Sequence, residues 1–176
     1  MRYVVVCVLQ GAAGAFNNQM RKEVWVKLKA KSSKLPAHFT IKAPFEHDGP
    51  ITALEGILES CCKEEKAEPF RLEGYGHFSD RVVYMNVNMS LGGKTMHDRF
   101  IDAMGVVPYV AFDEKDGKDK IFHVTVASKR IQPAFDKIWE YANSKPCDFD
   151  CQFDNISIYK WQDNTWVLHR IYQLQH

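Results

Sequence analysis

Apolar positions in the first half of the chain follow strand spacing and helix spacing in turn. Continuous apolar runs and period-two alternation predict strands, whereas apolar residues three and four apart predict helices. Pro44 is expected to end the strand that precedes it. The predicted elements are a strand (3–9), a loop (11–14), a helix (17–31), a strand (37–42), a helix after Pro50, and a hairpin (70–78 and 82–88).

The second half repeats the order strand, helix, strand, helix, strand. Its predicted elements after the strand 82–88 are a helix (95–104), a charged loop (105–120), a strand (123–126), a helix (133–143), and a hairpin (149–161 and 165–174) that turns at 162–164. The repeat predicts an α+β fold of one domain, 1–176. Two pseudo-repeat lobes, about 1–80 and 81–176, would exchange elements and form a bilobal, duplicated arrangement of two antiparallel sheets, with a central cleft between the sheets and helices outside.

Two of the predicted strands carry the same four-residue pattern of histidine, apolar residue, threonine and apolar residue. They are His38–Ile41 and His123–Val126. Because successive side chains of a strand point to opposite faces, each histidine shares a face with the threonine two positions on. Two such strands facing each other would place two imidazoles and two hydroxyls around one small anion. A histidine pair can hold one neutral and one protonated ring near pH 7, which suits general acid–base chemistry.

Composition narrows the class of partner. The 176 residues carry a net charge of +1, so the chain as a whole lacks the excess of basic residues expected of a protein that binds long duplex nucleic acid. No apolar stretch reaches the length of a membrane span. Five cysteines without a CxxC spacing favour reduced thiols. The start of the chain mimics a signal peptide, but Gln10 interrupts it and its valines favour a strand. We therefore expect a monomeric cytoplasmic protein.

The paired pattern resembles the two HxTx motifs of the 2H phosphoesterase superfamily, and within it the RNA 2′,5′-ligase and cyclic phosphodiesterase branch. The extended first motif, 38–45, is similar to that of bacterial members, and basic residues follow the second motif as expected. The resemblance implies that His38 and His123 are the catalytic acid and base and that Thr40 and Thr125 hold the phosphate. It also implies a bilobal fold and chemistry that needs no metal and no cofactor.

Further residues are candidates for substrate binding. Lys42 is predicted on the same strand face as His38 and Thr40, where it would bring a positive charge to the mouth of the cleft. Lys129 and Arg130 follow the second motif directly. Four aromatic residues in turns or near strand ends are candidates for stacking on a base: Phe45, Phe78, Tyr109 and Phe112.

Three functions remain open on sequence alone. The first is a metal-independent phosphoesterase acting on 2′,3′-cyclic phosphates or 2′,5′-linked ribonucleotides, with the reverse reaction giving a 2′,5′ RNA ligase. The second is a module that binds a nucleotide or an RNA terminus without turnover. The third is a phosphodiesterase for another cyclic substrate, such as ADP-ribose cyclic phosphate. The sequence does not decide which histidine is the acid.

Overall fold

The computed structural model describes all residues, 1–176. It contains eight strands, four α-helices and one short 3₁₀ turn over Gln132–Ala134. In chain order the elements are β1 (Arg2–Val8), α1 (Gly11–Leu28), β2 (His38–Glu46), α2 (Thr52–Glu64), β3 (Glu68–Phe78), β4 (Val82–Met89), α3 (Leu91–Gly105), β5 (His123–Ala127), α4 (Phe135–Asn143), β6 (Asp148–Phe153), β7 (Asn155–Gln162) and β8 (Thr165–Gln173).

The strands form two sheets of four, and every pairing is antiparallel. The first sheet has the order β2-β1-β7-β8 and the second has the order β5-β4-β3-β6. The predicted α+β class with two antiparallel sheets is confirmed. The lobes at 1–80 and 81–176 stay a prediction, and the sheets do not follow that boundary: β3 joins the second sheet, while β7 and β8 join the first.

One continuous apolar core links both sheets to the helices. Phe39 of β2 is fully buried in it and packs edge-on against Phe70 of β3 and Phe153 of β6, with ring centroids 5.4 and 5.0 Å apart. The opposite face of the first sheet carries only a small apolar cluster, which includes Val4, Val6 and Tyr159. Neither sheet therefore has a core of its own, and the two pack as one unit.

The predicted loop at 11–14 is wrong, because α1 begins at Gly11 and includes all four residues. Gly14 is buried inside this helix, and a Cβ at that position would collide with the carbonyl oxygen of Leu9. The glycine therefore permits close packing of α1 on the end of β1, and it does not mark a loop. None of the helices is both long and apolar enough to cross a membrane.

Two predicted strand boundaries also change. β2 continues through Pro44 to Glu46. This is possible because β2 is an edge strand, and on its outer side no neighbouring strand requires the N–H that proline lacks. The predicted strand 149–161 is two strands in different sheets, divided at Asp154. The side chain of Asn155 stabilises the division: its Oδ1 accepts from the Val8 N–H at 3.0 Å, and its Nδ2 donates to the Val8 carbonyl at 2.9 Å.

Candidate active site

The two motif strands come from different sheets and meet through their apolar residues. β2 and β5 approach to within 8 Å between Cα atoms. Phe39, which lies between the motif residues of β2, packs edge-on against Phe122, the residue before His123, at 5.7 Å. Both rings point into the shared core, so the alternating side chains point away from it. His38 and His123 are near enough for the charge of one ring to act on the other. We call the surface onto which His38, Thr40, His123 and Thr125 project the groove.

The two histidines are held in the same way. Nδ1 of His38 lies 2.7 Å from the carbonyl oxygen of Pro36, and Nδ1 of His123 lies 2.9 Å from that of Ile121. In each case the partner is the backbone two residues earlier. Because a carbonyl oxygen only accepts, each Nδ1 carries a proton and each Nε2 is left to exchange one. This is the tautomer that acid–base catalysis through Nε2 requires.

Burial lowers the pKa of both histidines. For His38 the pKa falls to about 4, because burial and the nearby charges of Arg21 and His123 outweigh the Pro36 carbonyl, which favours the protonated ring. For His123 burial also lowers the pKa, helped by the charge of Lys120 and opposed by the Ile121 carbonyl. Both rings are therefore neutral in the ligand-free protein at pH 7, and a bound phosphate anion would raise both pKa values.

Aromatic side chains form the wall of the groove next to His123. The His123 ring meets Phe78 edge-on at 5.0 Å and Tyr84 at 5.1 Å. Tyr84 is the register partner of Thr125, so it stands on the same sheet face as the motif residues. A pocket of about 690 Å³ opens beside this wall. Its lining combines the wall with a charged loop: Phe78, Arg81, Val82, Glu114, Lys115, Asp119, Lys120, Ile121, His123 and Ser128.

The predicted position of Lys42 is wrong. The register shifts between Thr40 and Lys42, and Lys42 pairs with Val5, whose side chain lies in the core. This bulge moves Lys42 off the face of the motif residues. Its ammonium is buried and lies 2.5 Å from Oδ2 of Asp116, itself only 2% exposed. We therefore assign Lys42 to anchoring the loop that carries Asp116, and not to binding substrate.

The predicted positions of Phe45 and Tyr109, as aromatics that stack on a base, are also wrong. Phe45 is the register partner of Tyr3, whose side chain lies in the core, so it faces away from the groove. Tyr109 stacks on His47 at 3.9 Å and accepts a hydrogen bond from the Leu54 N–H at 3.4 Å. Both aromatics pack beside α2. Of the aromatic candidates, Phe78 is the one in contact with a motif histidine.

Lys129 and Arg130 occupy an exposed turn after β5. The Lys129 N–H bonds to the carbonyl of Lys31 at 3.1 Å, and its side chain lines a second, basic pocket. Arg130 has a φ of 54° and lines neither that pocket nor the one beside His123. Its role as a substrate ligand stays a prediction.

Sequence reasoning missed the residues that support the motif strands from behind. Asn17 of α1 is fully buried and its Nδ2 donates to the carbonyl of Thr125 at 3.1 Å. Arg21 donates to the Leu35 carbonyl at 2.9 Å and to Ser32 Oγ at 2.7 Å, which orders the segment before His38. The sequence did carry one signal of this role: Asn17 is a polar residue on the apolar stripe of a predicted helix.

Solved structures with the same fold share little sequence with this chain. The protein TT0787 of Thermus thermophilus matches with a TM-score of 0.67 at 12% identity, over 99% of this chain and 98% of that chain. LigT of E. coli matches in its apo form with a TM-score of 0.66 at 12% identity, and in its complex with ATP with a TM-score of 0.60 at 13% identity, both over 99% and 98% of the two chains. At this identity the matches show the fold alone.

Sequence comparison supplies the family. A search of curated proteins gave no significant match. The sequence profile of the 2′-5′ RNA ligase superfamily matches residues 15–165, which contain both motifs and most of the chain. The chain belongs to the 2′-5′ RNA ligase superfamily, within the 2H phosphoesterases that its paired motifs resemble.

Proposed function

We propose that the protein is a 2H phosphoesterase that opens 2′,3′-cyclic phosphates, or cleaves 2′,5′ linkages, at ribonucleotide ends by two-histidine acid–base catalysis. The observation that carries the proposal is the matched pair of Nδ1–carbonyl hydrogen bonds, which leaves both Nε2 atoms able to exchange a proton. Binding alone would not require two rings fixed in one tautomer. E. coli LigT, which shares the fold, has been crystallised with 3′-AMP and with phosphate.

The proposed reaction assigns a different role to each histidine. His38, with a pKa of about 4, is the stronger candidate for the neutral base. Its Nε2 takes a proton from water as the water oxygen bonds to phosphorus. The phosphorus–O3′ bond breaks, and protonated His123 gives its Nε2 proton to O3′, which leaves a 2′-phosphate. The hydroxyls of Thr40 and Thr125 donate to the non-bridging oxygens as their charge grows.

The ligase activity would be the reverse of 2′,5′-linkage cleavage. A 5′-hydroxyl takes the place of water on a 2′,3′-cyclic phosphate, and the same proton transfers yield a 2′,5′ linkage. The residues of the groove do not determine whether cleavage or ligation is favoured, because the acid and the base exchange roles when the reaction is reversed.

Turnover of 2′,3′-cyclic nucleotides in EDTA, with chromatographic identification of the product isomer, tests the proposal. His38→Ala and His123→Ala should each lower kcat by roughly 10²–10⁴. His77→Ala is the matched control: His77 Nδ1 also lies 2.8 Å from a carbonyl, that of Ser79, but its ring packs on Trp139 of α4, outside the groove. Nucleotide affinity without any product, or full turnover in either motif variant, would refute the mechanism.

A further inference from the structure

A second concave site lies beside the groove. It has a volume of about 460 Å³ and is formed by the C-terminal half of α1, the segment that follows it and the turn after β5. No carboxylate lines it. We call it the basic pocket, because its lining contains five cationic side chains: Arg21, Lys22, Lys31, Lys34 and Lys129.

The basic pocket concentrates charge that the overall composition hides. Residues 21–34 contain six Lys or Arg and one Glu, a net charge of 6 − 1 = +5. Since the whole chain has a net charge of +1, the remaining residues sum to 1 − 5 = −4. The single Glu, Glu23, pairs with Lys145 at 3.1 Å, away from the pocket. None of the five pocket cations has a carboxylate within 4.0 Å, so their field is not neutralised inside the protein.

An exposed tryptophan stands among these cations. Trp25 lines the basic pocket and is 42% exposed although its neighbour Val24 is fully buried. The ammonium groups of Lys31 and Lys29 lie 4.7 and 5.7 Å from the centre of its ring. Cations that follow a phosphate backbone, together with an exposed aromatic face on which a base can stack, are the usual means of binding single-stranded nucleic acid.

The basic pocket and the groove share a wall. The carbonyl of Lys31 accepts hydrogen bonds from the N–H groups of Ser128 and Lys129, at 2.9 and 3.1 Å. Ser128 lines the pocket beside His123, and the next residue, Lys129, lines the basic pocket. Consecutive Cα atoms are about 3.8 Å apart, so the backbone of Ser128 and Lys129 is the boundary between the two pockets. Arg21, which lines the basic pocket, is also near enough to His38 for its charge to act on that ring, so the basic pocket adjoins the groove.

We infer that the basic pocket binds the sugar–phosphate backbone of a single-stranded RNA whose terminal phosphate occupies the groove. This inference rests on the proposed function and narrows its substrate class from mononucleotides to RNA ends. The pocket has the volume of a small-ligand site, which suits one or two nucleotides of a flexible strand and not the width of a duplex.

A charge-matched pair of variants tests the inference. Lys22→Gln/Lys31→Gln removes two exposed pocket cations, while Lys66→Gln/Lys137→Gln removes two exposed cations elsewhere and changes net charge equally. Fluorescence anisotropy would follow binding of a labelled single-stranded oligoribonucleotide over a range of salt concentrations. The pocket variant should bind more weakly, and its log–log salt dependence should be shallower by about 1.4. Trp25→Ala should weaken binding at least about five-fold.

Turnover distinguishes failure of this inference from failure of the proposed function. The pocket variant should lose kcat/KM on an oligonucleotide with a 2′,3′-cyclic end and keep it on a 2′,3′-cyclic mononucleotide. Equal weakening in the control variant, or equal affinity for duplex RNA of the same length, would overturn the inference. The protein could show no turnover and still bind RNA in a way that depends on Lys22, Lys31 and Trp25. That result would refute the proposed function and support RNA binding by the basic pocket.

Discussion

Removing the carboxylate of Asp116 should destabilise the protein more than loss of any of its surface ion pairs. Asp116 lies in the loop between α3 and β5 and accepts three hydrogen bonds: from Lys42 Nζ at 2.5 Å, from the Ala43 N–H at 3.0 Å and from the Asp113 N–H at 2.9 Å. Burial acts to raise the pKa of Asp116, but these donors hold it below its ordinary value. The carboxylate is therefore ionised at pH 7.

The expected cost follows from what Asp116→Ala leaves behind. The Lys42 ammonium, whose side chain is 6% exposed, would be buried without its partner. Breaking a buried pair in this way costs about 3–5 kcal/mol, a large share of the roughly 5–15 kcal/mol that holds a domain folded. At about 2–4 °C per kcal/mol for a chain of this size, Tm should fall by roughly 6–20 °C.

Urea denaturation of a double-mutant cycle measures this directly. Lys42→Met/Asp116→Ala leaves no buried charge, so its cost should be smaller than the sum of the two single changes. Glu59→Ala, which breaks a pair with an exposed Lys63, is the control and should leave the free energy of unfolding nearly unchanged, because water screens an exposed pair. A cost of Asp116→Ala no larger than that of the control, or strict additivity in the cycle, would refute the reasoning.

Three further outcomes are expected. Thr40→Val should lower kcat by roughly 10²-fold while Thr40→Ser keeps most of it, which steady-state kinetics would show; equal activity of both would remove the hydroxyl from the mechanism. Gly76→Ala should lower kcat/KM by up to about 10²-fold, because the new Cβ would meet Tyr84 Cε2 at 2.6 Å; Gly56, with nothing within 4 Å of its Cβ position, gives the control alanine. Burial lowers the pKa of His38 and His97 to about 4, so the unfolded chain binds more protons below its histidine pKa of about 6.5. Stability should therefore fall as pH drops from 6.5 to 4, by at most about 1.4 kcal/mol per pH unit for each ring, and His97→Leu should flatten that slope in denaturation measured across pH.

The strands that carry the candidate site were predictable because their alternation is a local property. Phe39 and Val124 each stand between a histidine and a threonine, and burial of these apolar residues turns the polar ones to the other face. Lys42 shows where local reasoning ends. An extra residue in β2 moves Lys42 to the other face, a second register shift before Phe45 restores the alternation, and no side chain in the sequence marks either shift.

Contacts between residues far apart in the sequence could not be predicted for a different reason. The predicted strand 149–161 has no glycine or proline, and the pair Asp154-Asn155 is a local turn signal that does not indicate a change of sheet. The basic pocket could not be predicted because the total charge is near neutral and because elements are exchanged between the sheets. The sequence alone predicted Phe45 and Tyr109 at the rim of the cleft. The pairing of Phe45 with Tyr3 and the stacking of Tyr109 on His47 place both rings beside α2 instead.

The position of β1 between β2 and β7 has a consequence for synthesis of the protein. One side of β1 pairs with a strand made soon after it, whereas the other side pairs Val6 with Ser157, 157 − 6 = 151 positions later. At ribosomal rates of about 5–20 residues per second, this valine-rich strand waits roughly 8–30 s for its second neighbour. During that interval its unpaired edge is open to other chains, so the nascent protein is most prone to aggregation through this edge until the last hairpin has left the ribosome.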